Sequence, residues 1–486
     1  MSTFVGIDLG TSATKVVVID HDGNVLGRAR CAHPNSRSAQ LGRVDPEAWK
    51  ESISQALAQL HPLVSQADGV GIDVHCPVIV PLDQHGRACG LGVVWDNSVL
   101  NYFFNQYSDQ RSAEAIAATG NHPSQSTFIA LAYPYLEHRD ISTFEAMATF
   151  GMAGTWLGSL LTGQMAVDPT QASYSGIFNT LEPEKGWIDE TVELLGIRPE
   201  VLPAVKHSVD ILGQVSHEAA ETFGLPAGIP VSVGSADTPA ASYALGTKPG
   251  TKPFFIMGTT HVINSCLSTP DLRATALQRC GNEPGQWLIN GVTNGGDALS
   301  TGALLCGFGI AGAGVAEMID TAFNISWDEA VVAPYFIPHV MRERGPLWFE
   351  RPCANIVGIT RDMNRAQVAR AIVDGVLLVD RMVLNSCVPK DSGSIYLTGA
   401  FGADEAFPQM LADILNADLD LVDESYLPAI GAASMCGKTV AQSVLPEIAS
   451  RRVSPRSEWV SVNDARWDVF RTTWMNVTGR DLLPEI

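Results

Sequence analysis

The sequence predicts an α/β protein built from two related domains with a cleft between them. The chain has 486 residues, which is too long for a single domain with one hydrophobic core. Strand-like and helix-like patterns follow one another from the N-terminus in the order β, β, β, α, β. Strand-like runs that end in small-residue turns return in the second half of the chain, which indicates a duplicated unit.

The first elements follow from local patterns. Two strands around a turn are expected in the first 20 residues, and further strands at 69–74 (GVGIDV) and 78–83 (VIVPLD). Residues 44–60 predict a helix, because Asp45 can cap its start, Pro46 suits its first position and apolar residues recur at helical spacing.

Three later runs repeat the strand-and-turn pattern. They are residues 229–241 (IPVSVGSADTPAA), 253–262 (PFFIMGTTHV) and 394–411 (SIYLTGAFGADEAFPQML). Between the first two, the stretch ALGTKPG is rich in Gly, Thr and Pro, so we place a domain boundary near residue 245.

Composition and net charge exclude several classes of function. A net charge of −21 argues against nucleic acid and against an anionic membrane surface as partners. The nine cysteines lie too far apart for a zinc site, which favours reduced, mostly buried thiols in a cytoplasmic protein. No signal-peptide pattern precedes the first strand. The most apolar stretch, residues 298–315, contains too much Gly, Ser and Thr for a membrane-spanning helix.

The turn between the first two strands carries more polar groups than a hairpin needs. Its small residues let backbone N–H groups approach phosphate oxygens, and Thr11, Ser12 and Thr14 add hydroxyl donors. Asp8 would repel bare phosphate, but a divalent cation between the two, such as Mg²⁺, makes the carboxylate favourable. Lys15 would add a positive charge toward the same phosphates. The alternative is a tight hairpin with a capped aspartate, and the residues alone leave both interpretations open.

Asp237 is the candidate catalytic group. It follows an apolar strand and precedes Pro239 and an Ala-rich run, so it lies where a strand meets a helix N-terminus. One interpretation is a helix-capping aspartate. The other is a general base that accepts a hydroxyl proton during phosphoryl transfer.

Five stretches match the pattern of one family. They are GIDLGTSATK (6–15), GSADTPAASYALG (234–246), MGTTHV (257–262), residues 342–376 and LTGAFGADEAFPQMLADIL (397–415). Together they resemble the FGGY carbohydrate kinases, most closely the xylulokinase-like and gluconokinase-like members, over nearly the whole chain. The resemblance implies two RNase H-like domains of the actin/Hsp70 type with a catalytic cleft between them. Residues 1–245 would bind the sugar and residues 246–486 the nucleotide.

The resemblance also implies roles for single residues. Asp8 would hold Mg²⁺ through water, and Asp237 would take the proton from the attacking sugar hydroxyl. The residues that would bind ATP are Thr11, Ser12, Lys15, Gly258, Thr259, Thr260, Gly296, Gly399, Ala400 and Asp404. The implied reaction is in-line transfer of the γ-phosphate of ATP to a hydroxyl of a small sugar, polyol or sugar acid, with ATP and Mg²⁺ as cofactors.

The substrate side departs from the family pattern. His75, Cys76 and Pro77 stand where xylulokinase-like members carry Gln-Met-His, and Thr238 replaces an Asn. The family's Trp-Asn-Asp-x-Arg stretch becomes WDNSV (95–99). The expected substrate contacts are His75, Cys76, Asp96, Asn97, Asp237 and Thr238, although a purely structural role for His75 is the alternative. Because polar contacts decide which sugar a site accepts, these changes argue against assigning xylulose.

Two other functions are alternatives to the kinase. One is a catalytically weak sugar- or nucleotide-sensing protein on the same fold, which retention of Asp8 and Asp237 opposes. The other is a chaperone-like ATPase of the actin/Hsp70 superfamily, which the stretches at 342–376 and 397–415 oppose. The expected partners are ATP and a small sugar or polyol, with neither nucleic acid nor membrane, and with a homodimer as the alternative to a monomer.

Overall fold

The computed structural model describes residues 2–34, 37–38, 42–273, 275–309, 312–399 and 405–485. It is a mixed α/β molecule with two large sheets, so the predicted fold class is confirmed. One large sheet is built from strands before residue 245 and the other from strands after it.

The strands are β1 (Thr3–Leu9), β2 (Ala13–Asp20), β3 (Val25–Ala32), β4 (Arg37–Ser38), β5 (Arg43–Val44), β6 (Gly69–Val74), β7 (Val78–Leu82), β8 (Gly92–Val94), β9 (Thr149–Met152), β10 (Ala166–Val167), β11 (Ala204–Val205), β12 (Ile211–Gln214), β13 (Pro230–Ser232), β14 (Ser235–Ala236), β15 (Phe254–Met257), β16 (His261–Leu267), β17 (Leu277–Cys280), β18 (Trp287–Thr293), β19 (Tyr335–Ile337), β20 (Asn355–Val357), β21 (Ile395–Gly399), β22 (Leu419–Leu421) and β23 (Arg451–Val453).

The helices are α1 (Pro46–Gln59), α2 (His61–Val64), α3 (Leu100–Tyr107), α4 (Ala113–Thr119), α5 (Ala132–Arg139), α6 (Ile141–Ala146), α7 (Ala153–Thr162), α8 (Pro169–Ala172), α9 (Asp189–Leu194), α10 (His217–Phe223), α11 (Asp237–Ala244), α12 (Gly295–Leu305), α13 (Gly312–Phe323), α14 (Trp327–Val331), α15 (Arg365–Cys387), α16 (Ala406–Leu415), α17 (Leu427–Ala441) and α18 (Ser457–Thr478).

The N-terminal sheet has the order β12-β13-β6-β1-β2-β3, with β14 also pairing β6. β1 runs antiparallel to β2 and parallel to β6, and β14 runs parallel to β6. Because the carboxyl ends of parallel strands meet at one edge of a sheet, this order brings the ends of β1, β6 and β14 together. A separate sheet, β4-β5-β8-β7-β9, flanks the first one.

The C-terminal sheet has the order β17-β18-β16-β15-β21-β22-β23. Its β15 pairs antiparallel with β16 and parallel with β21, as β1 does with β2 and β6. A strand, a small-residue turn and an antiparallel return strand therefore occur in both halves. Short two-stranded pairs, β10-β11 and β19-β20, lie outside the large sheets.

Helix α17 connects the two halves. It comes from the C-terminal half but lies directly on the N-terminal sheet, where glycines leave room for its backbone. A Cβ atom on Gly6 would overlap the carbonyl oxygen of Ala429, and one on Gly71 would overlap that of Ala432. Gly431 on the helix faces α11 in the same way, since a Cβ there would overlap the carbonyl oxygen of Ala240.

The local predictions for the first elements are confirmed. The helix expected at 44–60 spans Pro46–Gln59, and the Asp45 side chain accepts a hydrogen bond from the Glu47 N–H. The strands expected at 69–74 and 78–83 are β6 and β7. Two short strands that the patterns did not predict, β4 and β5, lie between β3 and α1.

The cysteines fit the expectation only in part. All nine are free thiols, but only Cys266, Cys280, Cys387 and Cys436 are buried, and the other five are half-buried. The expectation of mostly buried thiols is therefore wrong, because several cysteines lie at strand ends or on loops rather than in the core. Among the described residues, no helix has the length and apolar character needed to cross a membrane.

The glycine contact with α17 gives the first prediction. Replacing Gly71 with Ala forces the Cβ against the backbone of α17, so we expect a loss of about 1–3 kcal/mol in the free energy of unfolding. The matched control is Gly312→Ala, because nothing lies within 4 Å of a Cβ at that position. Urea denaturation of both variants measures the difference. Equal stability of the two variants would contradict the proposed close approach of helix and sheet.

Candidate active site

Three aspartates meet where β1, β6 and β14 end. Asp8 in β1 is the register partner of Asp73 in β6, and Asp73 in turn is the partner of Ser235 in β14. Asp237 follows β14 as the first residue of α11. Asp8 is 4% exposed and Asp73 is fully buried, whereas Asp237 is half-buried. The sheet order thus gathers three carboxyl groups at one point.

Burial and mutual repulsion change the acidity of this group. Burial is the main cause that raises the pKa of Asp8 to about 7, with the charge of Asp237 adding to it and Lys15 opposing it. The pKa of Asp73 is raised well above its usual range, first by burial and then by the charges of Asp8 and Asp237. Among the described residues, the Asp8 carboxyl is the hydrogen-bonding neighbour of Asp73, and no N–H or hydroxyl group donates to either oxygen of Asp73. This cluster is therefore short of positive charge.

Lys15 is the cation beside Asp8. Its Nζ lies 3.9 Å from Asp8 Oδ2 and donates a hydrogen bond of 2.6 Å to the carbonyl of Ser425, just before α17. The same Nζ lies 5.6 Å from the centre of the Tyr426 ring. One side chain of the N-terminal sheet is thus held by the C-terminal half.

Hydrogen bonds fix the backbone of the turn after β1, while the residues at its tip are exposed. The Gly10 N–H donates to the Ala13 carbonyl at 3.1 Å, which closes the turn. His33 Nε2 lies 2.9 Å from the Gly10 carbonyl oxygen and holds the turn from the rear. The predicted phosphate residues Thr11 and Ser12 are exposed at its tip. A rigid turn with exposed hydroxyl groups suits the binding of an anion.

The turn after β15 gathers the second set of predicted residues. The Gly258 N–H donates to the Thr260 carbonyl at 3.1 Å, and the Thr259 carbonyl accepts from the Asp297 N–H at 3.1 Å. A Cβ on Gly296 would overlap the Gly258 carbonyl, so the start of α12 lies directly against this turn.

Gly399 lies beside the same turn. It is the register partner of Met257, its φ is +110°, and a Cβ there would overlap the Met257 carbonyl. The structure therefore brings Gly258, Thr259 and Thr260 together with Gly296 and Gly399. The predicted residues Ala400 and Asp404 lie outside the described residues.

A buried hydrogen-bond chain positions Asp237. Asp237 Oδ1 accepts a 2.6 Å hydrogen bond from the Thr238 N–H. One residue earlier, the Ala236 N–H donates to Thr170 Oγ1 at 2.9 Å, and this hydroxyl donates to Asp168. Asp168 is fully buried and also accepts from the backbone N–H groups of Thr170 and Gln171. The β14–α11 junction is thus fixed by groups some 70 residues away in the chain.

The predicted substrate residues differ in surroundings. The His75 ring is buried, with Nδ1 3.0 Å from the Leu9 carbonyl oxygen, so it braces the end of β1. Burial raises the pKa of the Cys76 thiol to about 12. Asn97 is buried and its Oδ1 accepts from the Val99 N–H at 2.9 Å, whereas Asp96 is exposed. Thr238 is half-buried beside Asp237.

The sequence analysis missed three residues of this site. Asp73 lies in an apolar strand, and its importance follows only from its register with Asp8. Asp168 and Thr170 sit in the stretch DPTQA, which carries an Asp and a Pro at a helix start. That local signal marks a capped helix, while the contact with Ala236 is visible only in the folded chain.

The carboxylates suit a divalent cation. Two buried aspartates with raised pKa values, one of them without an N–H or hydroxyl donor among the described residues, are the hard oxygen ligands that Mg²⁺ prefers. The described residues contain no set of three His, Cys, Asp or Glu side chains placed to ligate a metal by themselves. A cation here would need further oxygen ligands from a bound phosphate and water, which is how Mg²⁺ usually binds.

The sequence matches the models of a known protein family. A model of the FGGY family of carbohydrate kinases, N-terminal domain, matches residues 3–244, and the corresponding C-terminal domain model matches residues 242–439. Xylulose kinase from Klebsiella pneumoniae is 25% identical over 444 residues, covering 89% of each chain. Gluconokinase from Bacillus subtilis is 22% identical over 463 residues, covering 90% of this chain and 87% of the relative.

A solved structure shows the same fold. The crystal structure of xylulose kinase from Rhodospirillum rubrum superposes with a TM-score of 0.88 at 21% identity, over 98% of this chain and 99% of the other. The expected α/β fold with two large sheets is thereby confirmed.

The carboxylate cluster gives a prediction about stability. Without a bound cation, folded Asp8 and Asp73 keep their protons to higher pH than in the unfolded chain, so the free energy of unfolding falls as the pH rises from about 4 to about 7. Asp73→Asn removes one of the repelling charges. We expect its melting temperature in EDTA to exceed the wild-type value at pH 8, by ~1 °C for each kcal/mol gained, and to match it at pH 5.

The control for this variant is Asp362→Asn, because the Asp362 side chain is 85% exposed. It should show no such dependence on pH. An Asp73→Asn variant that is no more stable than wild type at pH 8 would contradict the buried repulsion.

Proposed function

The chain belongs to the FGGY family of carbohydrate kinases, and from this premise we propose that it transfers the γ-phosphate of ATP to a hydroxyl of a small sugar, polyol or sugar acid. The observation that carries the proposal is the position of Asp237. Its carboxylate is half-buried at a strand–helix junction, beside two buried aspartates. This is the arrangement that a base for the acceptor hydroxyl needs.

The nucleotide would bind across both turns. Thr11, Ser12 and Lys15 on one side and Gly258, Thr259 and Thr260 on the other offer backbone N–H groups, hydroxyls and one ammonium to the phosphates. Gly296 and Gly399 let the backbone pack directly against the second turn and the end of β15, beside which the nucleoside would lie. Ala400 and Asp404 belong to the same proposed nucleotide site.

Mg²⁺ would be held by Asp8, with Asp73 next to it. The ion would offset the negative charge of the phosphates and of the two carboxylates. Lys15 adds a positive charge at the same place, and its hydrogen bond to the Ser425 carbonyl holds its Nζ beside Asp8.

Asp237 would orient the acceptor hydroxyl and take its proton on Oδ2, since Oδ1 accepts from the Thr238 N–H. Thr170 and Asp168 would keep this carboxylate in place through the backbone of Ala236. His75, Cys76, Asp96, Asn97 and Thr238 are the proposed substrate contacts. We place the domain boundary near residue 245, so that residues 1–245 and 246–486 close on the substrates and exclude water.

A substrate panel tests the proposal directly. ADP formation is measured with ketoses, polyols and aldonic acids, each with MgATP. We expect one group of acceptors to raise ATP turnover well above its rate without acceptor. Tight binding of nucleotide with no stimulation by any acceptor would favour a sensing protein instead.

Asp237→Ala tests the proposed base. Because Asp237 belongs to the proposed acceptor side of the site, we expect nucleotide affinity to change little. Phosphoryl transfer should fall by about 10²–10⁴-fold, the usual contribution of general base catalysis. Asp362→Ala, at an exposed position, serves as the control. Retained transfer in Asp237→Ala would rule out the assignment.

Thr170→Val tests the positioning chain. Losing the hydroxyl removes the acceptor of the Ala236 N–H while keeping the shape of the side chain. We expect kcat to fall about tenfold with KM for ATP unchanged, as a hydrogen bond worth roughly 1–1.5 kcal/mol implies. Thr170→Ser should restore most of kcat, whereas a role in stability alone predicts equal kcat for both variants once they are folded.

A further inference from the structure

Strand β17 reaches from the C-terminal half into the site of the N-terminal half. The Gln278 N–H donates to Asn121 Oδ1 at 2.9 Å, and the Cys280 N–H donates to Ser173 Oγ at 3.0 Å. Both contacts tie the backbone of β17 to the opposite half. Arg279 lies between these two residues, so its backbone is held at the junction of the two halves.

The Arg279 side chain is buried and forms no close ion pair with the described residues. Its residue exposure is 6%, and its guanidinium carbon lies 3.8 Å from the centre of the Tyr174 ring. Nε and Nη1 have no hydrogen-bond partner, and no carboxylate among the described residues lies within 4 Å of this guanidinium. Buried charges are normally paired, because leaving one unpaired costs several kcal/mol. Tyr174, Cys76 and Asp237 interact with this side chain, but its Nε and Nη1 donors remain available to an anion.

The neighbours of Arg279 are the proposed substrate residues. Burial opposes its charge, but Tyr174, Cys76 and Asp237 together outweigh that effect and raise the pKa of Arg279. The thiol of Cys76 interacts with both Arg279 and Asp237. Tyr174 also interacts with Arg344, whose guanidinium lies 5.9 Å from the Trp95 ring. The unpaired donors thus lie close to the proposed base.

A cavity of about 230 Å³ lies beside Arg344. Its lining includes Trp95 and Ser124 from the N-terminal half and Asn294, Glu343 and Trp348 from the C-terminal half. Aromatic walls with a few polar groups suit a small, polar organic molecule. Arg344 and Arg279 both interact with Tyr174, so this cavity is the space that the structure offers for the remaining atoms of a ligand.

We propose that Arg279 binds a carboxylate of the acceptor, so that the acceptor is a sugar acid with its reacting hydroxyl at Asp237. This inference rests on the proposed kinase function and narrows its substrate class. A planar guanidinium matches a carboxylate through two parallel N–H···O hydrogen bonds. A neutral sugar would leave the charge of Arg279 unpaired. A sugar phosphate would add a second negative charge beside Asp237 and Asp8.

The test compares acceptors that differ only in charge. The enzyme is assayed with gluconate against sorbitol, and with xylonate against xylitol, using MgATP. We expect higher kcat/KM for the aldonate of each pair in wild type. In Arg279→Gln the ratio of aldonate to polyol kcat/KM should fall about 10- to 100-fold, the loss of one charge-assisted contact. For Arg279→Lys, this ratio should lie between the values for wild type and Arg279→Gln.

Arg361→Gln is the matched control, because the Arg361 side chain is 94% exposed. Its ratio should equal that of wild type. Melting temperatures of all variants establish that they are folded. A wild-type preference for the polyols or for 6-phosphogluconate, or an unchanged ratio in Arg279→Gln, overturns the assignment of Arg279 while leaving the proposed kinase function standing.

Equilibrium binding separates the two proposals. Isothermal titration of gluconate into the protein without nucleotide should show binding that Arg279→Gln weakens by the same factor. Binding that depends on Arg279 without any phosphoryl transfer would support the carboxylate site and overturn the kinase function. Gluconate binding that Arg279→Gln does not weaken overturns the carboxylate site.

Discussion

The crowding of three carboxyl groups at one sheet edge is the constraint on which the rest of the site depends. Two unit charges 4 Å apart in a medium of effective dielectric 20 repel by about 4 kcal/mol. Asp8 and Asp73 are buried side by side with Asp237 nearby, and Lys15 is the neighbouring cation. Such a group is stable only when protonated or when a cation joins it. The sheet order β1-β6-β14 therefore gathers the carboxylates that, under the proposed function, would hold a metal-bound phosphate.

The same edge is completed by the packing between the halves. Glycines on β1 and β6 let α17 lie against the N-terminal sheet, and the residues just before that helix hold Lys15. Strand β17 crosses in the opposite sense and fixes Arg279 beside Tyr174. Each half therefore contributes charged groups to the site of the other. A change in the angle between the halves would alter the electrostatics of the cleft as well as its width.

Many secondary-structure elements and the candidate base could be predicted from sequence patterns. The other residues of the site are recognised only from strand register and long-range contacts. The apolar runs and the capped helix at Pro46 predict their elements, and Asp237 stands out because a strand meets a helix there. Asp73 could not be singled out, since it differs from a core position only through its partner Asp8 in another strand. Thr170 and Arg279 gain their roles from contacts more than 60 residues away, which no local pattern reveals. His75 stands out in the sequence as a candidate substrate contact. In the structure its Nδ1 contacts the carbonyl oxygen of Leu9 at the end of β1, which is a structural contact.

The central claim is that this cleft transfers a phosphoryl group to an organic hydroxyl rather than to water. The most direct measurement follows ATP labelled with ¹⁸O in the γ-phosphate, incubated with enzyme, Mg²⁺ and a mixture of small sugars, polyols and sugar acids. The account predicts that the label appears in a phosphorylated organic product, as seen by mass spectrometry, and that the Asp237→Ala variant does not form it. Label recovered only as inorganic phosphate, or no turnover at all, would contradict it.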